Sequence, residues 1–298
     1  MRAVAVALGL IGVPSHVLAH GAEAHGTAPE WTYDPWVVIP LLIAGVLYAL
    51  GSLTLSRRVA AGRKIQVTHA VAYVTGWLSL ALALVSPLHW LGEHLFTFHM
   101  IEHEIVMAVS APLLVISRPV GSFLWSLPRR IRIEVGRFLR RPAVTAVWRR
   151  LSSGGNATLL HAIAIWAWHA PLLFDAAVVN VAVHRLQHLS FLVTALLFWW
   201  SIFRSSERGV AAWHLFITML HTSVLGALMA LAPRVLYTAQ TATALEWGLT
   251  PLEDQQLAGL IMWVPAGTIY AGAALALTAV WVRQSSNTGE SRDAIQAF

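Results

Sequence analysis

Of the 298 residues in this chain, 57% are hydrophobic and only 11% are charged, whereas a soluble domain carries about 25% charged residues. With a mean hydropathy of +0.64, this composition excludes an ordinary soluble protein and predicts a membrane protein. The net charge is +6, but the basic residues are gathered in particular loops, which argues against nucleic-acid binding and favours a role in membrane orientation. The chain has no cysteine, so disulfides, thiolate metal sites and thiol redox chemistry are excluded.

The chain opens with a pattern typical of a secretory signal. Met1 and Arg2 precede an apolar stretch that ends in small residues at Ala19. We expect residues 1–19 to be a signal peptide, or else an uncleaved first span of barely sufficient length. Residues 20–34 are then an outer tail that contains His20 and His25. After cleavage at Ala19, the amine and imidazole of His20 could chelate copper; the alternative is a flexible tail in which both histidines are bystanders.

Seven apolar runs follow, each close to the roughly 20 residues that a helix needs to cross a bilayer. They lie at 35–55, 68–87, 98–117, 157–174, 183–203, 212–231 and 257–282. The predicted fold class is therefore all-α: a polytopic membrane helical bundle of about seven transmembrane helices. The membrane domain is expected over residues 35–283, followed by a polar tail at 284–298.

Basic residues alternate between the loops of this bundle. They are concentrated after the first, third, fifth and last runs, while the opposite loops carry only Arg185 and Arg234. By the positive-inside rule, this asymmetry places the amino terminus outside and the carboxyl terminus in the cytoplasm.

The longest cytoplasmic loop, residues 118–156, carries nine arginines. Within it, residues 128–151 have a helical pattern in which apolar side chains alternate with the basic ones. We expect this segment to lie along the cytoplasmic interface against anionic membrane lipid. The alternative is a docking surface for a partner.

Two histidine pairs open the third and fifth apolar runs. His99 and His103 are four residues apart in the first pair, and His184 and His188 repeat that spacing in the second. Four-residue spacing sets two imidazoles side by side on a helix, which is the arrangement that chelation requires. Ionisable side chains inside a membrane span also indicate a functional role, because placing them in the bilayer costs free energy. We therefore expect the two helices to share one metal site.

In the predicted orientation, most of the histidines belong to the outer half of the membrane. The stripe of the first pair also contains Glu102 and Met107. The candidate metal ligands are His99, His103, His169, His184, His188 and His221, with the thioethers of Met100 and Met107. The candidate supporting residues are Glu102, Gln187 and Asp254. The single histidines nearer the cytoplasm, His69, His161 and His214, are expected to form interhelical hydrogen bonds.

The ligand types favour copper. Imidazole and thioether without thiolate suit copper, whereas imidazole with carboxylate also suits zinc or non-haem iron. Because Glu102 and Glu104 flank His103, copper is favoured but not forced. Glu102 is predicted to orient an imidazole by accepting its second N–H; the alternative is an acid that is salt-bridged or faces headgroup water. For the methionines, the alternative is core packing.

Five stretches carry a resemblance to a known family. They are HMIEHEIVMAVSAPLLVISRP (99–119), WHAPLLFDAA (168–177), HRLQHLSFL (184–192), HTSVLGALMALAPRVLY (221–237) and LTPLEDQQLAGLIMWVPAG (249–267). Through them the chain resembles the multi-spanning CtaG family of cytochrome c oxidase assembly factors over residues 68–282. The resemblance implies a bacterial inner-membrane protein that is needed to assemble haem–copper oxidase by delivering or inserting copper.

We interpret the chain as an accessory protein and not an enzyme, in which outward-facing histidines bind copper transiently and pass it to an oxidase subunit. A periplasmic protein is the expected copper donor. Three alternatives stay open: haem held by axial histidines, an intramembrane metalloprotease, and histidines that serve only as bundle contacts. The protease interpretation depends on the pattern His99-x-x-Glu102-His103. In the second pair, however, Gln187 occupies the position where a general base would be needed.

Overall fold

The computed structural model describes residues 29–57 and 63–296. Within these ranges every regular element is helical, which confirms the predicted all-α class. The expected signal segment and the histidines His20 and His25 lie outside the described residues.

The α-helices α1 to α13 are, in chain order, Pro35–Ser56, Arg63–Val85, Pro87–His94, Phe96–Glu104, Ala111–Ile116, Pro119–Ser126, Arg129–Leu139, Pro142–Leu151, Gly154–Trp168, Pro171–Val179, Val181–Arg204, Arg208–Ala230 and Pro251–Gln296. A π-helical turn, Ile105–Ser110, joins α4 to α5. A 3-10 turn, Ala244–Trp247, precedes α13. Helix α13 runs past the predicted end of the last span, through the region expected to be a polar tail.

In the described part of the chain, six helices are long and apolar enough to cross a membrane. They are α1, α2, the continuous helix Phe96–Ile116, α11, α12 and the Pro251–Gln284 portion of α13. Helices α9 and α10 meet the same criterion as a pair, which gives up to seven spans. The predicted membrane bundle is thereby confirmed, and the assignment of its termini to the two sides of the membrane stays a prediction.

The fourth span differs from the predicted continuous helix over 157–174. The structure breaks it between α9 and α10, whose axes meet at 73°. Ala170 is extended, with φ −66° and ψ 126°, because a following proline disfavours the helical conformation and Pro171 begins the next helix. The break leaves His169 at the corner of the bent pair.

The third span contains a change of helical register. Pro112 has no N–H with which to continue the α-helical pattern, and the amide of Ala111 instead bonds to the carbonyl of Val106, five residues back. The carbonyl of Met107 within this π turn accepts a hydrogen bond from Trp199 Nε1 at 2.9 Å. The α-helical register therefore ends at Glu104, and Met107, the last member of the predicted stripe, lies within the π turn.

Helices α12 and α13 cross with their backbones in close contact. A Cβ added to Gly226 would lie 2.7 Å from the backbone nitrogen of Trp263, and one added to Gly259 would lie 2.5 Å from that of Ala230. Small residues allow such direct backbone contact between membrane helices. This contact fixes the start of α13 beside α4, which carries the first histidine pair.

The arginine-rich segment is helical, as predicted, and forms α7 and α8. Neither helix contains a buried residue, and apolar side chains such as Ile131 and Trp148 are exposed beside the arginines. Arg132 stacks on Trp125 of α6, with its guanidinium carbon 3.9 Å from the ring centre. The expected contact of this segment with anionic lipid stays a prediction.

Candidate metal centre

Three histidines converge at one end of the bundle. Helix α4 supplies His99 and His103, and α11 supplies His188; one ring nitrogen of each lies within 4.8 Å of the other two. The Nε2 atoms of His103 and His188 are 3.1 Å apart. Two imidazoles on one tetrahedral ion, each about 2.0–2.1 Å from it, would bring their nitrogens about 3.3 Å apart. The three histidines, which we call the trigonal site, therefore fit a small metal ion.

Local sequence explains how each pair reaches this position. On α4 the four-residue spacing brings the rings of His99 and His103 together edge to face, with ring centres 4.3 Å apart. Helix α11 begins at a side-chain cap, in which Asn180 Oδ1 accepts hydrogen bonds from the amides of residues 182 and 183 at 2.9 and 3.2 Å. That cap sets His184 and His188 in the first two turns, on the face that meets α4.

Two further predicted ligands surround the trigonal site. The ring of His184 lies 4.5 Å from that of His188 and 5.5 Å from that of His99. The ring of His169 lies 6.4 Å from that of His103. His169 donates from Nδ1 to the carbonyl of Ile165 at 2.7 Å, and its buried Nε2 has no hydrogen-bond partner among the described residues. The Nε2 atom of His169 can therefore accept a hydrogen bond or bind a metal ion inside the cluster.

The other predicted ligands lie in different surroundings. His221, on α12, accepts a hydrogen bond from Trp166 at 3.4 Å. Met100 and Met107 are buried in the main hydrophobic core, where packing alone accounts for them. A ligand role for these three stays a prediction.

The predicted supporting residues fall into two classes. Asp254 accepts the backbone amides of Phe96 and Thr97 at 2.7 and 2.9 Å, so it holds the beginning of α4 and acts on the site through the backbone. Gln187 is fully buried, and neither polar atom of its amide has a partner within residues 29–57 and 63–296. Buried amides are normally bonded to protein or water, so the amide of Gln187 can bond to a polar group or a water molecule that binds beside it.

Glu102 is the carboxylate of the site. It is fully buried, which excludes the alternative of an acid that faces headgroup water. Its Oε1 lies 2.9 Å from His89 Nδ1 and 3.2 Å from His188 Nε2. Glu102 therefore contacts one member of the trigonal site and one histidine outside it.

His89 is the member of the cluster that the sequence patterns did not select. It lies on the short helix α3, with its Nε2 3.7 Å from Glu93 Oε1 one turn later, and that four-residue His/Glu spacing was the available signal. Burial alone disfavours a charge on His89, but the charge and hydrogen bond of Glu102, with Glu93 and Asp34 nearby, outweigh it and raise the pKa to about 9. The potential at this position therefore favours a cation.

Aromatic rings enclose the histidines on the inner side. Phe96, Phe174 and Phe191 are fully buried; the ring of Phe174 lies 5.4 Å from that of His99, and the ring of Phe191 lies 4.8 Å from that of His103. Such walls exclude water and strengthen electrostatic contacts inside the site. Neutral imidazole is the form that binds metal.

Comparisons with known proteins indicate the family of this chain. The family model described as "cytochrome c oxidase caa3 assembly factor" matches residues 46–284. The chain is 26% identical over 279 residues to uncharacterized proteins of Mycobacterium bovis and Mycobacterium tuberculosis, and 25% identical over 280 residues to one of Mycobacterium leprae. Each alignment covers 88% of this chain and 41% of the relative, so the chain spans about two fifths of the length of these relatives. No solved structure matches. Because the family match covers most of the chain, this protein belongs to the cytochrome c oxidase caa3 assembly factors.

Proposed function

We propose that the chain assists cytochrome c oxidase assembly by holding a copper ion at the trigonal site and passing it to an oxidase subunit. The observation that carries the proposal is the convergence of His99, His103 and His188 within 4.8 Å. In this proposal the protein binds copper transiently and transfers it. The protein acts in a bacterial inner membrane.

The donor set supports copper as the cargo. Imidazole ligands without thiolate suit copper. Three neutral nitrogens bind the ion less tightly than a set of thiolates would, which allows its release. A fourth position stays open to a ligand from a donor or an acceptor protein. Ligand exchange at that position would let a periplasmic copper donor load the site and an oxidase subunit unload it.

The distances disfavour the haem alternative. Axial imidazoles bind haem iron from opposite faces of a porphyrin ring, whereas His103 and His188 approach each other to 3.1 Å between Nε2 atoms. That separation leaves no room for a porphyrin plane between the two rings. Purified protein without a Soret band would agree with this conclusion.

The test replaces each of the three histidines by alanine in the native cell. We expect His99→Ala, His103→Ala and His188→Ala to lower both the copper retained by the purified protein and the amount of copper-loaded oxidase in the membrane. His69→Ala, on α2 outside the cluster, is the matched control and should retain wild-type values. Wild-type copper and wild-type oxidase in all three variants would overturn the proposal.

A further inference from the structure

A line of metal-binding side chains connects the trigonal site to the surface of the protein. Glu93 Oε1 lies 3.7 Å from His89 Nε2, and His89 Nδ1 lies 2.9 Å from Glu102 Oε1. The same Oε1 lies 3.2 Å from His188 Nε2, which is 3.1 Å from His103 Nε2. Each donor atom is thus within a few ångströms of the next one.

Exposure decreases along this line. The side chain of Glu93 is 21% exposed, that of His89 is 13% exposed and that of Glu102 is completely buried. The line therefore runs from solvent to the interior, and α3 supplies its outer half while α4 and α11 supply its inner half.

We propose that the copper ion reaches the trigonal site through His89 and Glu93, and that Glu102 is the carboxylate that bridges the outer pair to the inner histidines. This inference rests on the proposed copper function. It assigns an uptake role to three residues that lie beside the trigonal site, and the ion keeps its oxidation state throughout, since each step only exchanges one ligand for another.

The hydrogen bonds of His89 fit the outer role. His89 donates from Nδ1 to Glu102, and its Nε2 lies on the side of Glu93, where an arriving ion would replace the Nε2 proton, which passes to water. A histidine that gives its second N–H to a carboxylate is the usual arrangement of a metal ligand, because the carboxylate fixes the tautomer and makes the ring more basic. Glu93 and His89 then form an outer site with two protein ligands, and water molecules can complete the coordination of an ion bound there.

The bridging role of Glu102 has a second support. Its buried Oε2 has no hydrogen-bond partner in the described ranges, so it can accept an ion while Oε1 keeps its contacts. Gly92 of α3 makes room for that oxygen, since a Cβ there would lie 3.0 Å from it.

The charge around the line favours a cation. Arg185, which follows His184, would repel copper, but Asp34 pairs with it through two hydrogen bonds of 2.7 and 3.0 Å. Negative charge focused at such an opening raises the local cation concentration and speeds association by about tenfold or more.

The experiment follows the uptake of Cu(I) by the full chain in lipid nanodiscs, with the ion supplied from a coloured weak chelate whose absorbance is timed. We expect Glu93→Gln and His89→Gln to slow uptake by about tenfold, because a ligand and part of the attractive potential are lost. Both variants should reach the same final copper content as the wild type. Glu246→Gln, an exposed acid on the 3-10 turn next to α3, is the matched control and should load at the wild-type rate.

The outcomes separate this inference from the proposed function. Wild-type uptake rates in Glu93→Gln would overturn the inference alone, as would a reduced final copper content, which would place Glu93 in the holding site. His188→Ala should instead lower the final content. A wild-type chain that takes up no Cu(I) would overturn both the inference and the proposed function.

Discussion

Asp254 Oδ1 accepts hydrogen bonds from both the backbone amide and the hydroxyl of Thr97, at 2.9 and 2.7 Å. These bonds join the beginning of α13 to the beginning of α4, two residues before His99. A single carboxylate thus accepts hydrogen bonds from two backbone amides, those of Phe96 and Thr97, that have no partner within α4, the helix that carries His99 and His103.

Asp254→Asn should therefore weaken the fold. Asparagine keeps only one acceptor oxygen, so one of the two amides loses its partner, and an unsatisfied buried donor costs about 1–3 kcal/mol. We expect a lower thermal midpoint in detergent together with weaker copper retention. Glu253→Gln serves as the control, because the carboxylate of this neighbouring exposed acid accepts hydrogen bonds from the amide and hydroxyl of Thr250 and not from α4. An Asp254→Asn midpoint equal to that of the wild type would show that the cap does not hold α4.

Gly259→Ala should destabilise the bundle. The added Cβ would lie 2.5 Å from the backbone nitrogen of Ala230 and 2.7 Å from the carbonyl oxygen of Gly226, so backbones must separate. Overpacking of this kind costs about 1–3 kcal/mol or more. The check is thermal unfolding against Gly272→Ala, a change on the same helix where the added Cβ meets nothing within 4 Å. Equal midpoints for the two variants would contradict the close α12–α13 crossing.

Gly92→Ala should affect the metal site while the bundle stays folded. The new Cβ would lie 3.0 Å from Glu102 Oε2 and 3.3 Å from His99 Cα, so it displaces the carboxylate and pushes α3 away from α4. Changes to groups that orient ligands typically cost about 10–100-fold in metal affinity. Copper titration of the purified variant measures this, with Gly121→Ala as control because its added Cβ meets no atom within 4 Å. Wild-type affinity in Gly92→Ala would remove Glu102 from the site.

The stability of the wild-type protein should fall between neutral and alkaline pH. The groups that face His89 are the carboxylates of Glu102, Glu93 and Asp34 and the rings of His184 and His188. Because the folded pKa of His89 is about 9 against an ordinary value of 6.5, its stabilising contribution is complete below about pH 6.5 and is lost as the pH rises through about 9. Thermal midpoints of the wild type and His89→Gln, measured from pH 6 to 10, should converge at the alkaline end. A constant gap between them would contradict the pairing of His89 with Glu102.

Much of the architecture follows from local properties of the sequence. Apolar runs of membrane length predict spans wherever the chain must satisfy its own backbone inside lipid, and the described helices α1, α2, α11 and α12 begin and end within a few residues of the predicted limits. The four-residue spacing of His99 and His103 also determines that the two rings share a face, because helix geometry is local. The repeated pattern predicted one metal site shared with α11; His99, His103 and His188 do converge within 4.8 Å, and metal binding there stays a prediction.

The remaining features depend on contacts between distant parts of the chain. His89 joins the cluster because α3 folds back on α4 and brings its ring to Glu102, thirteen residues away. His169 joins it because the fourth span bends at Pro171. The sequence by itself determined which segments cross the membrane and which rings share a helix face, since both depend on neighbours along the chain. Only the tertiary structure decided which side chains meet at the site, because packing between helices, and the backbone adjustments that it selects, set those distances.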